Sequence, residues 1–231
     1  MATGARVDPT FLLGVGGVTE LVLVRHAKQA VGDNFLAQPV GELHDPPLAE
    51  VGQRQAKAVA AALTGETIDA VYSSVSQRAR DTAAAIAADA GLEVSVVEGI
   101  EEIGFFRDLP PDQTPLEALG EVRYHGFQRH WARTRRFDAW PGSESAAEFR
   151  SRVIPALEGL VAAHPGQRIV VVTHGGTINA YAGDILGTSD DMFFTPAHAS
   201  ITRVRAKHDR RVVATLNELQ HLSGSDDLLT F

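Results

Sequence analysis

The sequence predicts a three-layer α/β/α sandwich with a mostly parallel central sheet. Two observations carry this. Short continuous runs of β-branched and leucine residues, the pattern of strands buried on both faces, alternate with alanine-rich stretches of helical period. Glycines close those stretches, and strands alternating with helices imply crossover connections and helices on both faces of one sheet. At 231 residues the chain suffices for one well-buried domain, whereas two halves would each be small.

Residues 1–18 read as a glycine-rich N-terminal tail and residues 19–231 as the domain. The run from Phe11 to Val18 makes a poor signal peptide, because no A-x-A site separates it from the first strand at 21–24. A polar loop at 28–47 leads to a helix at 48–63, followed by Gly65. A strand at 68–72, a helix at 78–90 closed by Gly91 and a strand at 92–97 follow. Residues 103–141 hold Pro110-Pro111, both tryptophans and many arginines without a clean period, and read as a small helical or irregular insertion over the active site. Ser145 and Glu148 form a capping box for a helix running to 163, which Pro155 should kink or interrupt. A strand at 169–173, a helix at 177–186 and two strands at 201–205 and 212–216 complete the domain.

In open α/β sheets ligands sit beyond the carboxyl ends of the strands. There the chain places Arg25-His26, Ser73-Ser74 with Arg78, Glu101-Glu102, and His174-Gly175-Gly176. The dipeptides alone carry no weight: Arg129-His130 and His125-Gly126 also occur, in the insertion and with no buried strand before them. Two histidines, two arginines and an acid at one sheet edge suit phosphoryl transfer. Guanidinium groups bind phosphate oxygens in pairs, and helix-start N–H groups after Gly175 would add donors. A neutral imidazole with one nitrogen fixed is a nucleophile near pH 7, and a carboxylic acid can protonate the leaving oxygen. Ser73 and Ser74 read as N-cap residues. Arg107, Arg123, His125, Arg129, His130 and Arg133 stand between specificity contacts and a solvated helical face.

These segments, in order, resemble the histidine phosphatase superfamily (phosphoglycerate mutase-like) from Glu20 to about Leu216. Leu23-Val24-Arg25-His26-Ala27 is similar to L-V-R-H-G, and the stretch from Asp45 to Ala56 to D-x-P-L-T-x-x-G-x-x-Q-A. Val71-Tyr72-Ser73-Ser74 with Arg78-Ala79 and Thr82-Ala83 resembles Y-S-S-x-x-x-R-A-x-x-T-A, and Ile100 to Gly104 resembles the acid-bearing L-x-E-x segment. Ser143-Glu144-Ser145 and Val172 to Gly176 resemble G-E-S and S-H-G-G. The resemblance implies that His26 becomes phosphohistidine, Arg25 and Arg78 clamp the phosphate, His174 bonds its oxygens, and Glu102, not Glu101, donates the proton. Departures are Ala27 for glycine, Lys28-Gln29 for E-T or Q-T, Asn34 out of register, and His198 where N-x-S-I has asparagine. Gln29 is the candidate substitute for the missing hydroxyl donor, beside Gly175.

The expected activity is metal-independent phosphomonoester hydrolysis on small phosphorylated molecules. A short insertion would leave a site open enough for a phosphoprotein, which is the alternative substrate class. The alternative functions are phosphoglycerate mutase-type transfer, disfavoured because residues 103–141 do not resemble the mutase insertion, and a decayed phosphate-binding or regulatory protein. No cofactor or metal is expected: H-E-x-x-H and G-x-G-x-x-G are absent, and arginines beside the histidines repel cations. The net charge of −8 without a basic run argues against nucleic acid and anionic membranes, and no apolar stretch approaches the roughly 20 residues that span a bilayer. The absence of cysteine excludes a thiolate nucleophile and fits a reducing compartment, here expected to be the cytoplasm.

Overall fold

Four central strands carry apolar residues that alternate between two helical layers. The computed structural model describes residues 7–31, 37–224 and 226–231. The strands are β1 (Thr19–Arg25), β2 (Ala70–Ser73), β3 (Val94–Val96), β4 (Arg168–Thr173), β5 (Ile201–Lys207) and β6 (Arg210–Glu218), in the order β3-β2-β4-β1-β5-β6. The pairs β3/β2, β2/β4 and β4/β1 are parallel, while β1/β5 and β5/β6 are antiparallel. The expected mostly parallel α/β architecture is borne out.

Val22, Val24, Val170 and Val172 point to one face, under α2 (Glu50–Leu63) and α3 (Gln77–Ala90). Leu21, Leu23, Ile169 and Val171 point to the other, under α6 (Ala146–Ala163) and α7 (Gly175–Leu186). All eight side chains are fully buried, as two-sided parallel strands require. Helix α6 is continuous across Pro155, where the sequence anticipates a kink or an irregular turn. That proline is exposed, so the carbonyl whose donor it removes is left to solvent and not to the core.

Three details refine the expected layout. The 28–47 loop contains a short helix, α1 (Val40–Leu43). The insertion carries two helices, α4 (Pro115–Leu119), started by Pro115 and a Thr114–Glu117 capping box, and α5 (Glu121–Thr134), between irregular flanks. Its period is faint because only Tyr124 of α5 is buried; Phe106, Leu119 and Tyr124 form a small satellite core with Val40 and Trp140. Residues 7–18 lie against the β5–β6 hairpin, with Lys207 Nζ donating to Gly16 O and Arg210 to Pro9 O.

The strand order brings three chain ends together. β4 is flanked by β1 and β2, so Arg25 pairs with Thr173 and Ser73 with Val172. His26, Ser74 and His174 therefore leave the sheet side by side. Helix α2 braces the segment after His26 through Gly52: a Cβ there would lie 2.0 Å from Lys28 O and 3.0 Å from its carbonyl carbon. Both contacts are backbone, so Gly52→Ala is expected to destabilise the protein by about 1–3 kcal/mol. That outweighs the roughly 1 kcal/mol alanine gains over glycine within a helix. A lower urea midpoint is the expected reading, and an unchanged one would show that the loop yields freely.

Candidate active site

The site is built around His26, the first residue beyond β1. Its N–H donates to Thr173 O at 2.8 Å, so the parallel ladder fixes where the side chain begins. Nδ1 lies 2.8 Å from Ala27 O. A carbonyl only accepts, so Nδ1 carries the proton and Nε2 presents a lone pair. Arg78 Nε, 3.3 Å from Nε2, can only donate and agrees with this tautomer. Ala27 is anchored on both sides: its N–H donates to Thr82 Oγ1 at 3.0 Å, Thr82 Oγ1 donates to Arg78 O at 2.7 Å, and the peptide carrying the Ala27 carbonyl donates through Lys28 N to Gln55 Oε1 at 2.8 Å. Ala27 is fully buried and is not among the residues with positive φ, so its methyl is accommodated where the resembled motif has glycine.

Arg78 is buried on α3, with NH1 donating to His44 O at 3.2 Å and NH2 3.4 Å from His174 Nδ1. Asp45 lies 3.6 Å from Arg78 NH1 and accepts from Gln77 N at 2.7 Å, which satisfies an N–H in the first turn of α3. Arg25 NH1 donates to Pro196 O, and NH2 lies 3.1 Å from His198 Nε2. Arg25 Nε is buried without a hydrogen bond among the described residues. Burial lowers Arg25 to about 10, with Glu102 opposing and Arg78 reinforcing the shift, so it stays cationic at neutral pH. Burial likewise lowers Arg78, against Glu102 and Asp45.

His174 is fully buried, with its ring 5.0 Å from that of His26 and Nε2 2.7 Å from Ser74 Oγ. Burial comes first in holding both histidines well below 6.5. His174, Arg78, Arg25 and His198 add to this for His26, and Arg78, Arg25 and Arg152 for His174. Both imidazoles are therefore neutral at physiological pH.

The acid arrives through a pinned loop. Thr173 Oγ1 donates to Ile100 O at 2.6 Å and Thr177 Oγ1 to Glu101 O at 3.1 Å. The Glu102 carboxylate accepts from Gly176 N at 3.1 Å and from Ile103 N at 3.0 Å. A Cβ on Gly176 would lie 2.2 Å from Glu102 Oε1, so glycine here makes room for the carboxylate. The same construction at Gly175 falls 3.6 Å from Arg25 Nε and 3.8 Å from Glu102 Oε2, so the two groups face one spot. Glu101 turns away, accepting from Gly99 N and pairing with Arg152 at 3.2 Å. Arg78 and Glu102 line a cavity of about 290 Å³ whose apolar walls include Val40, Leu43, Phe105 and Phe106.

The comparisons with known proteins point the same way. The family model of the histidine phosphatase superfamily (branch 1) matches residues 21–219. The chain belongs to the histidine phosphatase superfamily. It is 32% identical over 212 residues to phosphoserine phosphatase 1 of Hydrogenobacter thermophilus, covering 89% of this chain and 95% of that one. It is 30% identical over 211 residues to a metal-independent phosphoserine phosphatase of Arabidopsis thaliana, covering 90% and 84%. A phosphoserine phosphatase variant from Entamoeba histolytica, solved with phosphoserine, superposes with a TM-score of 0.67 at 29% identity, over 88% of this chain and 99% of that one. The expectation of a histidine-phosphatase enzyme is borne out. Among the described residues no helix is long and apolar enough to cross a membrane.

Of the residues singled out from sequence, the superfamily fold brings Arg25, His26, Arg78, Glu102, His174 and Gly175 together. Gln29 stands apart. It pairs with Leu48 in an isolated bridge, its Oε1 is buried without a partner among the described residues, and no hydrogen bond joins it to this group. Asn34 lies outside the described residues. Ser73 and Ser74 are not N-caps: Ser76 holds that position, Ser74 bonds His174, and Ser73 Oγ donates to Ser74 O. Arg123, His125, Arg129, His130 and Arg133 are exposed on α5, and Arg107 pairs with Glu144; none lines the cavity. The Phe193-Phe194 turn is pinned to α7 by two hydrogen bonds between Asn179 and Phe194.

Sequence reasoning missed Arg152, which donates to the carbonyls of Gly99, Glu101 and Glu102 and so frames the acid's loop. A lone arginine on a helix gives no signal of that. His198, noticed only as a departure, is a third buried imidazole, 5.7 Å from His26.

The histidine shifts set a pH dependence. Burial lowers His198 to about 2 and His221 below 6.5, alongside His26 and His174. As pH falls through about 6.5 the unfolded chain takes up protons that the folded chain refuses, so stability present above that pH is lost below it. Urea unfolding should show stability falling between pH 6.5 and 5, by up to about 1.4 kcal/mol per pH unit for each such histidine. A flat or rising midpoint over that window would contradict the burial of neutral imidazoles.

Proposed function

We propose that the chain is a metal-independent phosphatase that hydrolyses small phosphomonoesters through a phosphohistidine on Nε2 of His26. The observation carrying this is the fixed tautomer: Nδ1–H is committed to Ala27 O, and the Nε2 lone pair meets Arg78 Nε at 3.3 Å, with the charge of Arg25 also bearing on the ring. A phosphate dianion entering between His26 and Arg78 would replace their long 3.3 Å contact with charge-assisted bonds to its oxygens. Arg25 Nε supplies a second such donor, and Arg25 and Arg78 together balance the dianion.

In the first step Nε2 attacks phosphorus in line, the ester P–O bond breaks, and the leaving oxygen takes a proton from the Glu102 carboxyl group. Positive charge on the phosphorylated ring is shared with the carbonyl of Ala27 through Nδ1–H. In the second step the Glu102 carboxylate removes a proton from water, whose oxygen attacks phosphorus as the N–P bond breaks. Inorganic phosphate departs and His26 regains its lone pair. His174, tied to Ser74 and Arg78 and 5.0 Å from the His26 ring, would turn toward the phosphoryl oxygens.

The leaving group fits the cavity of about 290 Å³ beside Arg78 and Glu102, which suits a metabolite-sized alcohol. Phosphoserine is the first substrate to try, since relatives at 30–32% identity are named for it. The test is hydrolysis of phosphoserine and of an aryl phosphate, with chelator, by the wild type and His26→Ala. Activity should survive the chelator and fall by at least about 10³-fold in the variant. Loss with chelator, or activity in His26→Ala within tenfold of wild type, would refute the reading.

A further inference from the structure

Arg25 has a second side, turned away from the phosphate pocket. Its NH1 donates to Pro196 O and its NH2 to Nε2 of His198 at 3.1 Å. A guanidinium has no acceptor, so Nε2 of His198 accepts and its ring proton sits on Nδ1. Nδ1 lies 2.9 Å from Thr230 Oγ1, which receives that proton. Gln55 Nε2 donates to the same oxygen at 2.9 Å and to Leu228 O at 2.7 Å. The Oε1 of Gln55 accepts from Lys28 N, two residues after His26, at 2.8 Å. A continuous chain of hydrogen bonds thus runs from the segment after His26, through buried Gln55, half-buried Thr230 and buried His198, to Arg25.

We propose that His198 is a positioning residue for Arg25, locked in its Nδ1–H tautomer by Thr230 of the segment following β6. This rests on the reading of Arg25 as a phosphate clamp. The geometry leaves little freedom. His198 N donates to Thr230 O at 2.9 Å, so backbone and ring are both tied to that segment. The next residue, Ala199, is held at φ 58° and fully buried, with its N–H on Arg25 O at 3.0 Å. A left-handed alanine is strained, and the surrounding bonds sustain it. With NH1 and NH2 held from behind, the Nε of Arg25 is aimed where Glu102 also points, 3.6 Å from the Cβ position of Gly175. The segment itself is seated by Leu222 and Leu228 in the core layer under α2 and by an Arg54–Asp227 ion pair.

The test is a mutant cycle on hydrolysis of phosphoserine or an aryl phosphate, with inhibition by orthovanadate measured in parallel. His198→Leu should lower kcat/KM about 10–100-fold and weaken vanadate by a similar factor, the scale of a misplaced binding group. His198→Asn, which keeps a side-chain acceptor, should recover most of the loss. Thr230→Val should give a smaller loss of the same kind, and it carries the test should His198→Leu fail to fold. In an Arg25→Ala background His198→Leu should cost less than twofold further. Equal losses in both backgrounds, or a wild-type kcat/KM in Thr230→Val and His198→Leu beside a crippled Arg25→Ala, would overturn the proposal. Full hydrolysis by Arg25→Ala would instead overturn the clamp on which it rests.

Discussion

A single hydrogen bond, from Nδ1 of His26 to the carbonyl of Ala27, settles what the rest of the site can do. It decides which ring nitrogen keeps the proton and so which one faces the arginines. The surroundings serve to keep that choice stable. Burial and adjacent positive charge prevent the ring from taking a second proton. Gln55 of α2 holds the accepting peptide through Lys28 N, Thr82 of α3 holds the peptide before it, and the β1–β4 ladder holds the donor residue from beneath. In the proposed mechanism an imidazole fixed in this way needs no neighbouring base before it attacks.

The remaining difficulty is electrostatic. Two buried guanidinium groups in a protein of net charge −8 meet desolvation that lowers both. Glu102 and Asp45 offset part of this, at positions that still leave room for a dianion. The same balance makes the pocket a poor host for a cation, since its two neutral imidazoles lie between like charges. Preorganised donors of this kind stabilise charge without reorganising at the moment of reaction. The reactive groups are correspondingly held by the framework: Arg152 frames the acid's loop, Asp45 ties the first turn of α3, and Gly176 leaves room for the carboxylate.

Much of this was legible in the sequence because parallel strands end where ligands bind. Residues 21–26 and 169–174 display both the buried run and the chemistry that follows it. Other parts were not legible, for identifiable reasons. Helix α5 buries only Tyr124, so its apolar period is too weak to read. Ser74 looks like a cap because caps are local, whereas its partner His174 lies 100 residues away. His198 meets Arg25 across 173 residues, and Arg152 reaches the Glu102 carbonyl across 50. Glu101 and Glu102 are adjacent and alike in the sequence, and only the fold separates them: Glu102 accepts from Gly176 N, while Glu101 accepts from Gly99 N and pairs with Arg152.

The most direct measurement is the protonation state of the His26 imidazole, read by nitrogen-15 correlation spectroscopy on selectively labelled protein at about pH 6. The account predicts a neutral ring with its proton on Nδ1 and an unprotonated Nε2. An imidazolium signal, or a proton on Nε2, would contradict it and remove the nucleophile on which the mechanism depends.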